Sequence, residues 1–313
     1  MTITGYAEQS AFSDPGPYSP LFDALPRDVR ELTAVVRNVI VHYRDPSVTL
    51  PPERLGEIDN RWVERILATD QGRHPAPLAA PRPAVERVGG CCRDFSLLTV
   101  AALRHQGVPA RLRIGFADYF FAPGWHHDHV VVDYWDGGRW VLTDPQIGPG
   151  DWAFDPGDMP RPPGARAGET APPVEPFATA AQVWTAFRRG EIDDQTYGVD
   201  PSLPVRGGWF VRDYVIAELA ARQRDELLLW DGWGAMSDTL DGADLGLVDE
   251  IAALLLAADA GDEAAEAALA ARYRADDRLH PGTEVFCISP TGARLVVDLV
   301  SRSSAPAPAR AAH

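Results

Sequence analysis

Hydrophobic positions recur along this chain at two spacings, and the change from one to the other marks out its elements. After a lead-in over residues 1–25 that carries several Pro, Gly and Ser and reads as extended, Val29, Leu32, Val35, Val36, Val39 and Ile40 return every three or four residues with Arg and Glu between them. That is the stripe of an amphipathic helix. A second helix is expected over residues 58–68, with Trp62, Ile66 and Leu67 inward. Residues 72–90, rich in Pro, Arg and Ala and closing on Gly89-Gly90, read as a long surface loop. Helical spacing resumes over 92–106, where Phe95, Leu98, Thr99, Ala102 and Leu103 share a face and Gly107 stands as the stop. The pattern then turns to strands over 110–116, 129–135 and 139–144, with Asp136-Gly137-Gly138 as a hairpin signal between the last two.

Residues 149–176 are dense in Pro, Gly and Asp and read as a connection. Helical patterns follow over 177–189, 210–229, 247–258 and 263–274, then a small hairpin of 285–288 and 295–299 around Pro290-Thr291-Gly292. The Ser, Ala, Pro and Arg of 301–313 predict a disordered tail. The expected organisation is a core over 26–148, the 149–176 loop, and a mainly helical region over 177–300 that packs on the core. The fold class is α+β. No internal repeat is visible.

Composition narrows the partners. The 313 residues are 45% hydrophobic and 24% charged, ordinary for a globular chain. Twenty-nine Lys and Arg stand against 45 Asp and Glu, a formal net charge of -16 that repels phosphate backbones and argues against nucleic acid. The same charge serves solubility or the attraction of a basic substrate. Three cysteines, Cys91, Cys92 and Cys287, make no disulfide framework and fit a reducing compartment. The first residues lack a basic stretch followed by an apolar run, and no stretch approaches the ~20 apolar residues of a spanning helix. A cytoplasmic protein without membrane contact is the expectation.

Three segments carry candidate chemistry. In Gly89-Gly90-Cys91-Cys92-Arg93-Asp94-Phe95 a tight turn feeds a helix with cysteine at its start. The positive end of the helix dipole favours the thiolate there, and the unpaired first N–H groups are oxyanion donors. The second segment, His126-His127-Asp128-His129, enters a β-run and offers a base. Consecutive ligands suit a rigid metal site poorly, so no metal is assigned. The third is Trp140-Val141-Leu142-Thr143-Asp144-Pro145-Gln146. A two-residue turn at Asp136-Gly137 places Trp135 opposite Gly138 and His129 opposite Asp144, a carboxylate to orient the imidazole. A different loop length shifts the register by two and brings Gln146 opposite instead.

Taken together, these segments resemble the transglutaminase-like superfamily. The likeness runs through Cys92-Arg93-Asp94-Phe95, Leu103-Arg104-His105-Gln106-Gly107-Val108-Pro109-Ala110-Arg111, Gly115-Phe116, Asp128-His129, Asp133-Tyr134-Trp135, Arg139-Trp140 and Asp144-Pro145-Gln146. A weaker likeness continues through 189–193, 208–211 and 226–234. The resemblance implies a papain-like core, with the nucleophile helix packed on an antiparallel sheet and additional C-terminal helices. It selects Cys92 over Cys91, and His129 over His126 and His127, for a Cys92–His129–Asp144 triad with a thioester on Cys92. Val130 stands where relatives often carry Trp, and Asp133 where they often carry Glu, which alters the pocket wall.

The resemblance implies cysteine-dependent acyl transfer to an amine, with hydrolysis as the neighbouring outcome; a non-catalytic binding module keeping the fold is the reading from another class. The partners are an acyl donor (a small molecule, a peptide or a carrier-bound acyl group) and an amine acceptor. No cofactor is called for, and no stretch reads as a calcium loop. Tyr119, Trp125 and Trp152 are the candidate substrate-binding residues, Tyr119 with Phe120 and Phe121 beside it. The 149–176 loop, which follows Asp144 almost at once, is expected to wall the cleft.

Overall fold

The structure, a computed structural model, describes residues 3–120, 122–150, 152–160, 176–240 and 244–308. Phe121, Asp151 and most of the Pro-rich connection, 161–175, therefore lie outside the described residues, and the wall expected of that loop is addressed only through 152–160.

Asp28 opens α1 (Val29–Val39) by accepting from the backbone N–H groups of Arg30 and Glu31, an N-cap of the usual kind. At Ile40 the chain extends into β1 (Ile40–His42). α2 (Val63–Arg73) follows, then β2 (Val88–Gly90), which pairs with β1 in parallel and leads into α3 (Cys92–His105). β3 (Ala110–Ala117), β4 (His126–Trp135) and β5 (Trp140–Thr143) form an antiparallel meander.

The chain then returns to this same sheet. β6 (Phe177–Thr179) pairs with the free side of β3, α4 (Ala180–Arg188) follows, and β7 (Tyr197–Gly198) pairs with the start of β4. The order is β5-β4-β3-β6 with β7 beside β4. After α5 (Gly208–Arg222) come β8 (Asp231–Gly232), α6 (Leu245–Asp259), α7 (Glu263–Ala275), β9 (Glu284–Ile288), β10 (Arg294–Asp298) and β11 (Ser303–Pro306). The last three strands and β8 make a second antiparallel sheet, ordered β11-β10-β9-β8.

Four expectations change. The lead-in over 1–25 is not extended: it forms 3-10 turns at Ile3–Ala7 and Gly16–Phe22 and buries Tyr6, Phe12 and Phe22. Aromatic anchors at unequal spacings, Tyr6, Phe12 and Phe22, gave it no period to read. The surface loop over 72–90 ends in β2, too short a strand to show alternation. The region 177–300 is not an appended helical layer: β6 and β7 belong to the core sheet, and Trp184, Phe210 and Val215 share one apolar cluster with α3. The predicted disordered tail contributes β11, paired to β10 from Leu295↔Pro306 to Asp298↔Ser303.

α3 sits at the centre. Its sequence suggests one apolar face, yet every residue from Cys92 to Arg104 is buried, so it is enclosed on all sides. Two of those residues are arginines, and enclosing them requires that their charge be met by protein groups. Arg104 forks onto Glu226, with Nη2 to Oε1 at 2.8 Å and Nη1 to Oε2 at 3.2 Å, and Ser10 Oγ donates to the same carboxylate at 2.6 Å. That one carboxylate thus joins the lead-in, α3 and the turn after α5. Glu226→Ala strands a buried guanidinium and should destabilise the fold by about 3–5 kcal/mol, measured by denaturant unfolding. A loss below about 1 kcal/mol would show that the pair is not what closes this region.

Candidate active site

Why the chain delivers a cysteine to a buried helix start is a matter of local packing. Parallel pairing of β1 with β2 aligns Ile40, Val41 and His42 with Val88, Gly89 and Gly90, and the Tyr43 N–H donates to Gly90 O at 2.9 Å. Gly90 has no room for a side chain: a Cβ would stand 3.0 Å from both Asp94 Oδ2 and Ile40 Cγ2. The next residue, Cys91, is the extended N-cap of α3, and its N–H donates to Asp94 Oδ2 at 2.8 Å. Asp94 Oδ1 in turn accepts from Arg93 at 2.9 Å. Arg93 continues to the carbonyl oxygens of Arg61, at 2.6 Å, and Glu226. The Arg93-Asp94 pair that follows the nucleophile is therefore a brace beneath it.

The base arrives on β4. Ser96, one turn into α3, donates to Val130 O at 2.8 Å and so fixes the strand beside the helix start, one residue from His129. His129 pairs across the sheet with Gly115. A Cβ on Gly115 would lie 2.0 Å from Ala178 O, so glycine there lets β6 close against the sheet.

The hairpin does not have the predicted register. Trp135 pairs with Trp140 and Val132 with Thr143, so the connection is four residues, 136–139. Asp136 Oδ1 organises it by accepting from the N–H groups of Gly138 and Arg139, each at 2.8 Å. Extended past Thr143, this register would align His129 with Gln146. Asp144 nevertheless meets the imidazole because β5 ends at Thr143 and the chain bends. The Asp144 N–H donates to Pro156 O at 2.9 Å, and Arg37 holds the carbonyls of Pro145 and Ile147 at 3.1 and 3.0 Å.

His129 Nε2 lies 2.8 Å from Asp144 Oδ2, leaving Nδ1 as the nitrogen for the sulfur, and Cys92 and His129 are close enough to shift each other's ionisation. The structure thus brings Cys92, His129 and Asp144 together. They are covered as well: Cys92 is 5% exposed, His129 2% and Asp144 1%.

Burial would neutralise such groups, and their neighbours reverse it. A hydrogen bond from the Cys91 thiol is the largest influence on Cys92; against the opposing effect of burial, that bond and His129 bring its pKa down to about 7. Cys91 itself is pushed well up, first by its bond to Cys92 and then by burial, so it stays a thiol and a donor. Burial also works to lower the His129 pKa, but the Asp144 carboxylate and then the Cys92 sulfur raise it to about 10. Asp144, which burial alone would raise, is held below its ordinary value by the imidazole, Tyr119 and the Gln146 N–H. The two shifts, Cys92 down and His129 up, both favour a thiolate–imidazolium pair.

The three candidate wall residues have different places. Tyr119 donates its hydroxyl to Asp144 Oδ2 at 2.6 Å and meets the His129 ring edge-on at 5.9 Å, so it stands behind the triad as an orienting group. Trp152 packs edge-on against Tyr119 at 5.9 Å and anchors Nε1 on Gly148 O at 2.9 Å. Trp125 is buried and lies 6.4 Å from the His127 ring.

Phe120, noted beside Tyr119, is at the site, and His42 and Tyr214 join it without having carried a signal in the sequence. Phe120 lies 5.0 Å from the His129 ring. His42, which burial and the nearby positive charges of His129 and Arg44 push down to about 4, stays neutral. Tyr214 donates to Asp128 Oδ2 at 2.6 Å. The neighbouring histidines turn elsewhere: His126 stacks on Tyr197 at 4.2 Å, and His127 Nδ1 reaches Val199 O at 3.1 Å. Only a parallel strand, β1, and a return strand, β7, bring several of these groups in, and neither is visible as a period.

Residues 48–145 match the family model of the transglutaminase-like superfamily. A solved structure from Cytophaga hutchinsonii, provisionally named a cysteine protease, is 18% identical over 46% of this chain and 42% of its own, with a TM-score of 0.30. The chain thus spans less than half the length of that protein, and so slight an overlap carries no structural argument. No curated protein matches the chain.

The ionisation pattern fixes a pH profile. Below about pH 7 Cys92 is a thiol; above it the thiolate forms while His129 keeps its proton to about pH 10. Alkylation of Cys92 by iodoacetamide should rise with a midpoint near pH 7 and hold its plateau, whereas turnover should fall again near pH 10 as the imidazolium is lost. Cys92→Ala should abolish both. Cys91→Ala should keep turnover but move the acidic limb upward, since it removes a hydrogen bond to the thiolate. A native alkylation midpoint near 9 would rule out the ion pair.

Proposed function

We propose, on the premise that residues 48–145 are a core of the transglutaminase-like superfamily, that this cysteine-dependent enzyme transfers an acyl group through a Cys92 thioester to an amine. The observation that carries the choice of amine over water is the cover on the triad. Exposures of 5, 2 and 1% at Cys92, His129 and Asp144 leave bulk water little access to a thioester formed there. The cover is aromatic: Phe120, Trp152 and Phe154 surround Tyr119, which itself holds Asp144.

The Cys92 thiolate adds to the donor's carbonyl carbon, with the oxyanion beside the first N–H groups of α3. The intermediate collapses, the bond to the leaving group breaks, and that group takes the proton from His129. His129, now neutral and still oriented by Asp144, accepts a proton from the incoming amine as its nitrogen attacks the thioester. Expulsion of the thiolate releases the amide and restores the ion pair. No step draws on a cofactor.

With a simple thioester donor and a saturating primary amine, mass spectrometry should find amide in excess of free acid. Trp152→Ala should shift the ratio towards acid by severalfold, with the Cys92 alkylation midpoint unmoved. Free acid as the main product at saturating amine would make the chain a hydrolase with the same triad.

A further inference from the structure

Two buried polar atoms beside the triad have no hydrogen-bond partner among the described residues: Trp125 Nε1 and His127 Nε2. Trp125 is 7% exposed, and an indole N–H so enclosed is ordinarily paired. His127 donates through Nδ1 to Val199 O at 3.1 Å. A carbonyl can only accept, so the ring proton sits on Nδ1 in the neutral ring, and Nε2 is a bare acceptor. The site therefore holds one unmet donor and one unmet acceptor on rings whose centres are 6.4 Å apart.

Their place relative to the chemistry is set by β4. His127 and His129 are two residues apart on one strand face, roughly 7 Å along it. Phe120 lies edge-on to both, 5.8 Å from His127 and 5.0 Å from His129. Pairing of β7 with β4, His127 against Gly198, supplies the Val199 carbonyl that fixes the tautomer. The Arg206 guanidinium covers the other side of Trp125 at 5.7 Å.

We propose that Trp125 and His127 are specificity-determining residues that bind one secondary amide of the acyl donor. The Trp125 N–H donates to the amide oxygen, and His127 Nε2 accepts from the amide N–H. A carboxylate would meet Trp125 but leave His127 unpaired, and an ammonium would do the reverse. A secondary amide satisfies both, with its C=O and N–H directed to opposite sides so that Trp125 and His127 flank it. The roughly 7 Å to His129 is about two residues of extended chain, so the bound amide lies within two residues of the reacting carbonyl. The donor class is then an N-acyl-aminoacyl group rather than a plain fatty acyl group. This inference rests on the acyl-transfer reading.

The test compares the phenyl thioester of N-acetylglycylglycine with that of its analogue in which both amide N–H groups are replaced by oxygen. Each rate is normalised to the same donor's reaction with a free thiol, and acylation is read as mass added to Cys92. The full chain should prefer the amide donor by about tenfold or more in kcat/KM. His127→Leu should bring that preference close to one while keeping iodoacetamide alkylation of Cys92. Trp125→Phe should slow both donors by similar factors, because both present the carbonyl. Equal use of the two donors by the native chain would mean that the two atoms hold only a water, and would overturn the subsite while leaving acyl transfer intact. A preference that survives His127→Leu would overturn the assignment to His127. If neither donor labels Cys92, the acyl-transfer reading fails, and the subsite with it.

Discussion

Everything at the centre of this molecule depends on one buried guanidinium. Arg93 follows the nucleophile directly and is fully enclosed, so its charge must be met by protein groups. It is met by three: Asp94, which also receives the Cys91 N–H, and the carbonyl oxygens of Arg61 and Glu226. Those partners lie before α2, inside α3 and beyond α5. A single side chain therefore sets the first turn of α3 against two distant segments, and the position of Cys92 follows from that. The neighbours repeat the device, Arg61 on Asp231 at 2.6 and 2.9 Å and Arg104 on Glu226. Buried pairs of this sort add little net stability but penalise any arrangement that breaks them, so they specify one geometry.

That geometry makes an ion pair sustainable in a dry site. A thiolate and an imidazolium each lose hydration on burial, and each alone would revert to its neutral form. Here the Cys91 thiol and the imidazole hold the thiolate, while Asp144 and the sulfur hold the imidazolium. Asp144 in turn accepts from Tyr119, His129 and the Gln146 N–H. The chain of donors ends at neutral groups, so no charge is left unpaired at its edge.

How much of this the sequence disclosed follows from locality. α3, β3 and β4 were legible because their periods are long and their stops are glycine or turn residues. Cys92, His129 and Asp144, which the structure brings together, stood out through motifs, though the hairpin argument that joined two of them assumed a two-residue turn. The true connection is four residues because Asp136 caps Gly138 and Arg139, and the histidine and aspartate meet only through the bend after β5. What stayed hidden is non-local or brief. β1 and β2 are three residues each and parallel, and β6 reaches the sheet from across the Pro-rich connection. Cys91 was hidden for another reason: its role is a single hydrogen bond, which composition and spacing do not encode.

A covered triad must still admit a substrate, and the contacts on the cover decide where. The segment 152–160 is tied down by Arg30 to Asp155 and Arg139 to Asp158, pairs whose side chains are all 40% exposed or more. Exposed pairs contribute about 0–1 kcal/mol each. Its apolar hold is a small cluster of Ala117, Val131, Leu142, Met159 and Phe177 with Tyr119, Phe120 and Phe154 against it, separate from the main core around α3. Opening along 152–160 therefore disturbs weak ion pairs, ring contacts and the backbone bonds that tie Pro156 to Asp144 and Met159 to Leu142, while the Arg93 brace, the Ser96 clip and the His129–Asp144 bond lie outside that segment. The fold sets Cys92, His129 and Asp144 apart from their cover, and the boundary between them runs through Tyr119, whose ring packs with the cover and whose hydroxyl bonds Asp144.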